Sequence, residues 1–208
     1  MRVEVWSDYM CPMCYLNKRR LERALEGFPS ADEIEVVLRS YELDPQADTH
    51  LDVDYAEFLV AAYGMTPEDS ADYVAQVTAM GADVGLEYRF ERMTPTNSFD
   101  AHRLTHLAAA EGKAADFAEI VYRGYFSEAR DISDEAFLLD AAVRAGLDRA
   151  QVAEILAGDR FADEVRADEE EAASWGAERP PFIVFDEEGG FQGPLSVEDY
   201  GALLSQYI

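Results

Sequence analysis

The two cysteines of this chain, Cys11 and Cys14, are the residues whose type and spacing could carry chemistry. They are the only cysteines among 208 residues, and Pro12 and Met13 lie between them. Two thiols with this spacing suit either redox exchange or metal binding. Thiol–disulfide exchange needs one sulfur that attacks and a second that resolves the mixed disulfide. The pair therefore predicts a redox site at which Cys11 reacts and Cys14 resolves.

The segments on either side of the pair predict how the two sulfurs are positioned. Residues 2–7 resemble a buried strand, and residues 12–27 carry apolar side chains at helical spacing. We therefore expect Cys11 to be exposed at the start of a helix, with Cys14 one turn in and more buried. The open N–H groups and the dipole of a helix start favour negative charge on the Cys11 sulfur.

The rest of the chain predicts an α/β fold that is interrupted by helices. A second strand is expected over 34–41, and a third over 182–185, followed by a hairpin turn and a final helix. Among the helices between the second and third strands, Thr66 and Asp148 are expected to be N-caps. This order is that of a thioredoxin-like fold with a helical insertion between its βαβ and ββα halves. The predicted domains are the N-terminal half at 1–51, the inserted helical domain at 52–165 and the C-terminal half at 166–208.

The composition restricts the partners that we expect. The net charge is −26, from 43 acidic and 17 basic residues. A nucleic-acid surface needs clustered basic side chains, and an anionic membrane attracts them, so neither partner is expected. Lysine occurs only as Lys18 and Lys113. An acidic, lysine-poor chain indicates adaptation to a salty cytoplasm, with a halophilic-type acidic surface.

The sequence also predicts a compartment. No apolar run approaches the ~20 residues of a membrane span, and residues 1–8 lead directly into a strand. We therefore expect a cytoplasmic protein. Structural disulfides are rare in a reducing cytoplasm, so the two cysteines are expected to be catalytic or metal-binding.

A second candidate element precedes the late strand. Arg179, Pro180 and Pro181 stand at its entrance, and a proline there suits a cis peptide bond. The cis bond is expected at Pro181, with Pro180 as the alternative.

Several segments together resemble the DsbA-like thioredoxin family, specifically its FrnE-like branch of predicted dithiol–disulfide isomerases. They span nearly the whole chain: residues 7–15, 43–45, 101–104, 125–128, 131–134 and 176–186. The resemblance implies a thiol–disulfide oxidoreductase or isomerase that acts on protein dithiols or on small thiols and disulfides. It implies three catalytic residues, Cys11, Cys14 and Pro181, with Pro181 at the family's cis-proline.

The resemblance also implies that substrate is bound beside the cysteines, at Pro12, Met13 and Pro180. No cofactor or metal is required, because the cysteine pair itself carries the two electrons. Two of these positions depart from the family pattern. Met13 stands where the branch usually has Trp, and Pro180 stands where an aliphatic residue usually pairs with a substrate strand. Pro180 has no N–H to donate, so substrate binding is expected to lose a hydrogen bond worth ~1 kcal/mol.

Three alternatives remain open at this point. The chain could be a zinc-binding module whose ligands are the two cysteines together with His102 and His106, which are four residues apart on a predicted helix. A glutathione-dependent isomerase or transferase of the 2-hydroxychromene-2-carboxylate isomerase type shares the architecture, but that class generally has Ser at the position of Cys11. A peptide-binding module without catalysis could use the apolar side chains around the pair. The redox partner and the oligomeric state are not predicted.

Overall fold

The chain folds into two compact units, seen in a computed structural model that describes residues 1–48 and 53–207. One unit joins the two ends of the chain, Met1–Leu43 and Ala162–Ile208, and the other is Asp44–Phe161. The predicted boundary between residues 51 and 52 lies outside the described residues, and the predicted domain assignment stays a prediction.

The first unit is built on a four-stranded sheet of order β2-β1-β3-β4. The strands are β1 (Arg2–Ser7), β2 (Glu35–Ser40), β3 (Phe182–Phe185) and β4 (Gly189–Gln192). β1 and β2 are parallel, with Val3 opposite Val36. A parallel pair needs a crossover, and helix α1 (Pro12–Leu25) supplies it. The other two pairs are antiparallel, so β3 and β4 form the predicted hairpin.

Helices cover both faces of this sheet, which explains why β3 is apolar on both sides and why β1 is buried on both. On one face, Val5 of β1 and Ile183 of β3 pack with Leu21 of α1 and Tyr200 of the last helix. On the other face, Trp6 packs with residues that include Ala172. The helices that contribute Ala172 and Tyr200 are the eighth and ninth of the chain, Ala162–Ser174 and Val197–Tyr207, called α8 and α9 below.

The second unit is helical, as predicted. Its helices are α2 (Tyr55–Tyr63), α3 (Pro67–Asp83), α4 (Phe99–Ala110), α5 (Ala114–Phe126), α6 (Glu135–Arg144) and α7 (Arg149–Ala157). The predicted cap at Thr66 is confirmed, because its side chain accepts the N–H of Asp69 at 3.1 Å. The predicted cap at Asp148 is confirmed in the same way. The core of this helical unit includes the edge-to-face pair of Tyr88 and Phe126.

The predicted element order is therefore observed: a βαβ segment, a helical block and a ββα segment. The predicted α/β class, with a four-stranded sheet and a helical insertion, is confirmed. Among residues 1–48 and 53–207, no helix is both long enough and apolar enough to span a membrane.

Candidate functional site

Cys11 and Cys14 lie at the turn that joins β1 to α1. Cys11 is the N-cap of α1, with an extended backbone (φ −89°, ψ 110°), and Pro12 follows as the first helical residue. Proline suits this position because its fixed φ fits a helix and no N–H is needed there. The Cys11 carbonyl accepts the N–H of Cys14 at 3.0 Å. The first turn of α1 thus fixes one sulfur at the helix start and the other just inside.

Both cysteines are buried, although Cys11 was expected to be exposed. Cys11 is 5% exposed and Cys14 is 0% exposed, so the prediction of an exposed Cys11 is wrong. The physical reason is that its surroundings are covered as well. Tyr9 and Met10 are buried, and Cys11 Sγ lies 3.8 Å from the carbonyl oxygen of Pro180, itself buried. Cys14 is nevertheless the deeper of the two, as predicted.

The surroundings of Cys14 favour its neutral thiol. Burial raises the pKa of Cys14 well above its usual value, and a hydrogen bond with Cys11 and the charge of the nearby Asp8 carboxylate raise it further. Burial has this effect because an ion loses its hydration inside a protein. The backbone N–H of Asp8 donates to Cys14 Sγ at 3.5 Å and acts in the opposite direction. At neutral pH, Cys14 therefore keeps its proton.

Asp8 holds the turn that carries the cysteines. Its carboxylate accepts the N–H of Met10 at 3.1 Å and the N–H of Leu43 at 2.6 Å. Its carbonyl accepts the N–H of Cys11 at 3.1 Å. Asp8 is only 1% exposed, and a buried carboxylate needs such donors. Asp8 thus fixes the backbone that leads into Cys11 and links it to Leu43.

The second element of the site is the segment of residues 179–181. The Pro180–Pro181 peptide bond is cis, which confirms the predicted position of the cis bond. The carbonyl of Pro181 accepts the N–H of Gly193 at 2.9 Å. The side-chain amide of Gln192, on β4, donates to the carbonyls of Pro181 at 3.0 Å and of Arg179 at 2.7 Å. β4 therefore holds this segment in place beside the Cys11 sulfur.

The fold brings together most of the residues that the sequence singled out. Cys11, Cys14 and Pro180 meet at one place, and Pro181 follows Pro180 into β3. Pro12 is buried in the first turn of α1, and Met13 beside it is half-buried. This arrangement offers one sulfur at a helix start and a second, protonated thiol behind it, and both requirements of thiol–disulfide exchange are thereby met.

The two histidines of the zinc alternative lie on α4, in the helical unit. His102 is 2% exposed, and the ring of His106 stacks on Phe161 with centroids 6.0 Å apart. Within the part of the chain that the structure describes, no group of three or more His, Cys, Asp or Glu side chains could hold a metal ion. The described residues give the zinc alternative no ligand set.

Three polar residues near the site were missed by sequence reasoning. They are Gln192, described above, and the buried pair Asn17 and Tyr200. Asn17 Oδ1 accepts the Tyr200 hydroxyl at 2.9 Å and the Leu195 N–H at 3.2 Å. Burial raises the pKa of Tyr200, and the charge of Cys14 adds to this shift. One signal could have indicated Asn17: it is polar, yet it lies three residues after Cys14 on the buried side of α1.

Comparisons with known proteins agree with this geometry. Residues 2–204 match the family described as the DSBA-like thioredoxin domain. The crystal structure of a probable DsbA oxidoreductase from Streptomyces coelicolor is 42% identical in sequence, with a TM-score of 0.93. The alignment covers 100% of this chain and 89% of that one.

More distant similarities extend this result. The Bacillus subtilis protein YwbO is 28% identical over 153 residues, which are 72% of this chain and 68% of YwbO. The cytosolic disulfide reductase DsbM from Pseudomonas aeruginosa is 15% identical with a TM-score of 0.67, and the alignment covers 99% of this chain and 98% of DsbM. At that identity, the similarity to DsbM shows the shared fold alone.

Proposed function

The chain belongs to the DSBA-like thioredoxin domain family, and from this premise we propose that it is a thiol–disulfide oxidoreductase whose reacting pair is Cys11 and Cys14. Membership of the family supports disulfide oxidoreductase activity in general. One observation carries the assignment of the residues: Cys11 caps a helix start, and Cys14 lies one turn behind it as a buried thiol.

The proposed reaction proceeds in two exchanges. The Cys11 thiolate attacks one sulfur of a substrate disulfide, and the other substrate sulfur leaves as a thiolate that takes up a proton. Cys14 then loses its proton and attacks Cys11 Sγ. The Cys11–Cys14 disulfide forms, and the second substrate thiol is released. The substrate gains two electrons and the protein loses two; the reverse sequence oxidises a substrate dithiol.

The surroundings of the two sulfurs support these proposed roles. The positive end of the α1 dipole lies at Cys11, the N-cap of that helix, and favours negative charge on its sulfur. Burial raises the pKa of Cys14, so its thiol stays protonated until a mixed disulfide forms at the neighbouring Cys11. Cys11 is 5% exposed, so a substrate sulfur must enter through a narrow opening. Pro12, Met13 and Pro180 are proposed to contact the substrate there, and Pro181 is proposed to shape the same wall.

The finer assignment follows the sequence prediction. We place the chain in the FrnE-like branch, acting on protein dithiols in the cytoplasm. DsbM, which shares the fold, is a cytosolic disulfide reductase, and we extend its chemistry and compartment to this chain as part of the proposal. The oxidised protein needs a thiol or dithiol reductant to complete a reductive cycle, and the sequence does not identify that partner.

Two single variants test the proposal. The assay is reduction of a short peptide disulfide by purified protein with dithiothreitol as the electron donor. We expect Cys11→Ser to abolish turnover and to form no adduct. With dithiothreitol omitted, Cys14→Ser should instead accumulate a mixed disulfide between Cys11 and the peptide, because no second thiol is present to resolve it; mass spectrometry under non-reducing conditions detects that adduct. Full activity of Cys11→Ser would contradict the proposal.

The same samples separate the alternatives. A glutathione-dependent isomerase predicts that glutathione-dependent turnover of a chromene carboxylate survives in Cys11→Ser. A zinc module predicts stoichiometric zinc in the reduced protein. A redox titration of the Cys11–Cys14 pair then gives the direction of electron flow. A potential near that of thioredoxin, ~−270 mV, would indicate a reductant, and one near that of DsbA, ~−120 mV, would indicate an oxidant.

A further inference from the structure

Asn17 is a fully buried polar residue on the same helix as the two cysteines. It is 0% exposed and lies three positions after Cys14, which is also 0% exposed. Side chains three positions apart on a helix are neighbours on one face, and each leans toward the start of the helix. The Asn17 side chain therefore lies over the turn of α1 that carries Cys14.

The two ends of the Asn17 amide are in different situations. Oδ1 accepts the Tyr200 hydroxyl at 2.9 Å and the Leu195 N–H at 3.2 Å. A main-chain N–H can only donate, so the atom that faces Leu195 must be the oxygen. The nitrogen, Nδ2, is buried and has no hydrogen-bond partner among the residues that the structure describes. Because a buried donor without an acceptor costs free energy, Nδ2 points to an acceptor that is present only during the reaction.

The sulfur of Cys14 can become such an acceptor. Burial raises the pKa of Tyr200, and the charge of Cys14 raises it further, so the sulfur lies within electrostatic reach of the hydroxyl that is bound to Asn17. The three side chains thus share one buried site between α1 and α9. A neutral thiol is a weak hydrogen-bond acceptor, whereas bonds to an ionised acceptor are strong.

The second exchange forms the Cys14 thiolate for a short time. Cys14 must lose its proton before it attacks Cys11 Sγ, although burial disfavours the ion. The Asp8 N–H already donates to Cys14 Sγ at 3.5 Å, and one further donor would stabilise the thiolate. The Cys11–Cys14 bond forms as the bond between Cys11 and the substrate sulfur breaks. The leaving substrate thiolate takes up a proton in place of the one that Cys14 gave up, so no other reactant is needed.

We propose that Asn17 is a further catalytic residue, whose Nδ2 donates a hydrogen bond to the Cys14 thiolate as it attacks Cys11. The Tyr200 hydroxyl and the Leu195 N–H hold the amide by its oxygen. This inference rests on the proposed function and adds the group that activates its second thiol. Cys14 is neutral before the exchange and bonded to Cys11 after it. The amide therefore acts on the rate of the second exchange and not on the redox potential of the pair.

The rate of the second exchange tests the inference. Ellman's reagent, an aromatic disulfide, releases one coloured thiolate when Cys11 attacks it and another when Cys14 resolves the mixed disulfide. The second release does not depend on reagent concentration, so stopped-flow absorbance separates the two. We expect Asn17→Leu to slow the second release about 10- to 100-fold, the effect of one hydrogen bond to a charged group. The first release and the redox potential should stay the same. An unaltered second release would overturn the inference.

Tyr200→Phe is the matched variant. It removes one hydrogen bond at Oδ1 from the same buried site, but it leaves Nδ2 and the Leu195 N–H in place. We expect it to slow the second release less than about threefold, because only a neutral hydrogen bond at the far end of the amide is lost. If Tyr200→Phe and Asn17→Leu slow the second release equally, the hydrogen bonds at Oδ1 are the cause and the inference is wrong.

The natural residue decides the question if Asn17→Leu fails to fold. In Cys11→Ser, one Nδ2 proton resonance of Asn17 should move downfield as Cys14 ionises, with the same midpoint as the thiolate absorbance. A resonance that does not move would overturn the inference.

The two proposals fail in different ways. If the unmodified protein releases no second thiolate from Ellman's reagent, the proposed function is wrong. If it releases both and Asn17→Leu does so at the same rates, only the inference about Asn17 is wrong.

Discussion

Cys11 and Cys14 are the same residue type, and the different roles proposed for them rest on the groups packed around each sulfur. Cys11 Sγ has a backbone carbonyl at 3.8 Å and lies at the open end of α1. Cys14 Sγ accepts an N–H from Asp8 and is fully buried. Because burial disfavours the ion, the Cys14 thiol stays neutral, as its proposed role of resolving sulfur requires.

The raised pKa of Cys14 predicts a pH dependence. In Cys11→Ser the influence of Cys11 is lost, but burial, the largest cause, remains. We expect the thiolate absorbance of the folded variant to appear well above pH ~8.5, the ordinary value for a thiol, and that of the urea-unfolded variant near that value. Subtracting the double variant Cys11→Ser, Cys14→Ser removes the tyrosine signal.

The raised pKa of Cys14 also makes the stability of the folded protein depend on pH. A thiol whose pKa is raised by folding contributes stability that is fully present below the unfolded pKa and is lost as pH rises toward the folded pKa. The folded Cys11→Ser variant should therefore lose stability relative to the double variant as pH rises above ~8.5. A titration midpoint at or below the unfolded value would contradict the assigned role of Cys14.

At the scale of elements, a buried ionic network joins α8 to the sheet. Asp168 of α8 accepts from Arg39 Nη1 at 2.9 Å and from the Ser40 N–H at 2.8 Å. Its carbonyl accepts the indole N–H of Trp6 at 2.7 Å. Arg39 also donates through Nε to Glu4 of β1 at 2.9 Å. The two acids are 3% and 2% exposed, so this network keeps one face of the sheet covered.

Removing Asp168 should therefore be costly. Asp168→Ala leaves Arg39 short of a partner and the Ser40 N–H without its acceptor, and we expect a loss of about 3–5 kcal/mol in the free energy of unfolding. Glu171→Ala is the matched control on the same helix: its side chain is 41% exposed and lies 3.6 Å from Arg39, so less than about 1 kcal/mol is expected. Urea unfolding followed by circular dichroism measures both, and equal losses would show that the network does not stabilise the unit.

The elements also show what the sequence could predict. The strand at 2–7, the helix after Cys11 and the caps at Thr66 and Asp148 depend on neighbouring residues, and all were predicted. The role of Asp168 could not be predicted, because an acidic residue within an acidic run is expected to be solvated. Its donors come from β2, where Arg39 is 129 and Ser40 is 128 positions away along the chain. The burial of Cys11 was missed for the same reason, since it depends on Pro180, distant along the chain.

At the scale of the whole molecule, the dominant quantity is the net charge of −26. Like charges repel when a chain is compacted, and this repulsion lowers the stability of a folded protein with a large net charge. The buried pairs around Asp168 are little affected by salt, because screening acts mainly on exposed charges. Added salt should therefore weaken the repulsion between the excess acidic side chains and leave the buried ion pairs around Asp168 nearly unchanged.

Salt should stabilise this protein by screening. The Debye length falls from ~10 Å at 0.1 M to ~3 Å at 1 M salt, so the repulsion between exposed carboxylates is removed within that range. We expect the Tm to rise steeply with KCl at low concentration and to level off toward ~1 M, where little repulsion is left to screen. Sucrose, which stabilises through exclusion from the surface without screening charge, is the control and should give no such plateau. A Tm that is independent of KCl would show that repulsion between the acidic side chains does not destabilise the fold. A purely linear rise that is larger for sulfate than for chloride would show that exclusion of the salt from the surface, and not screening, causes the rise in Tm.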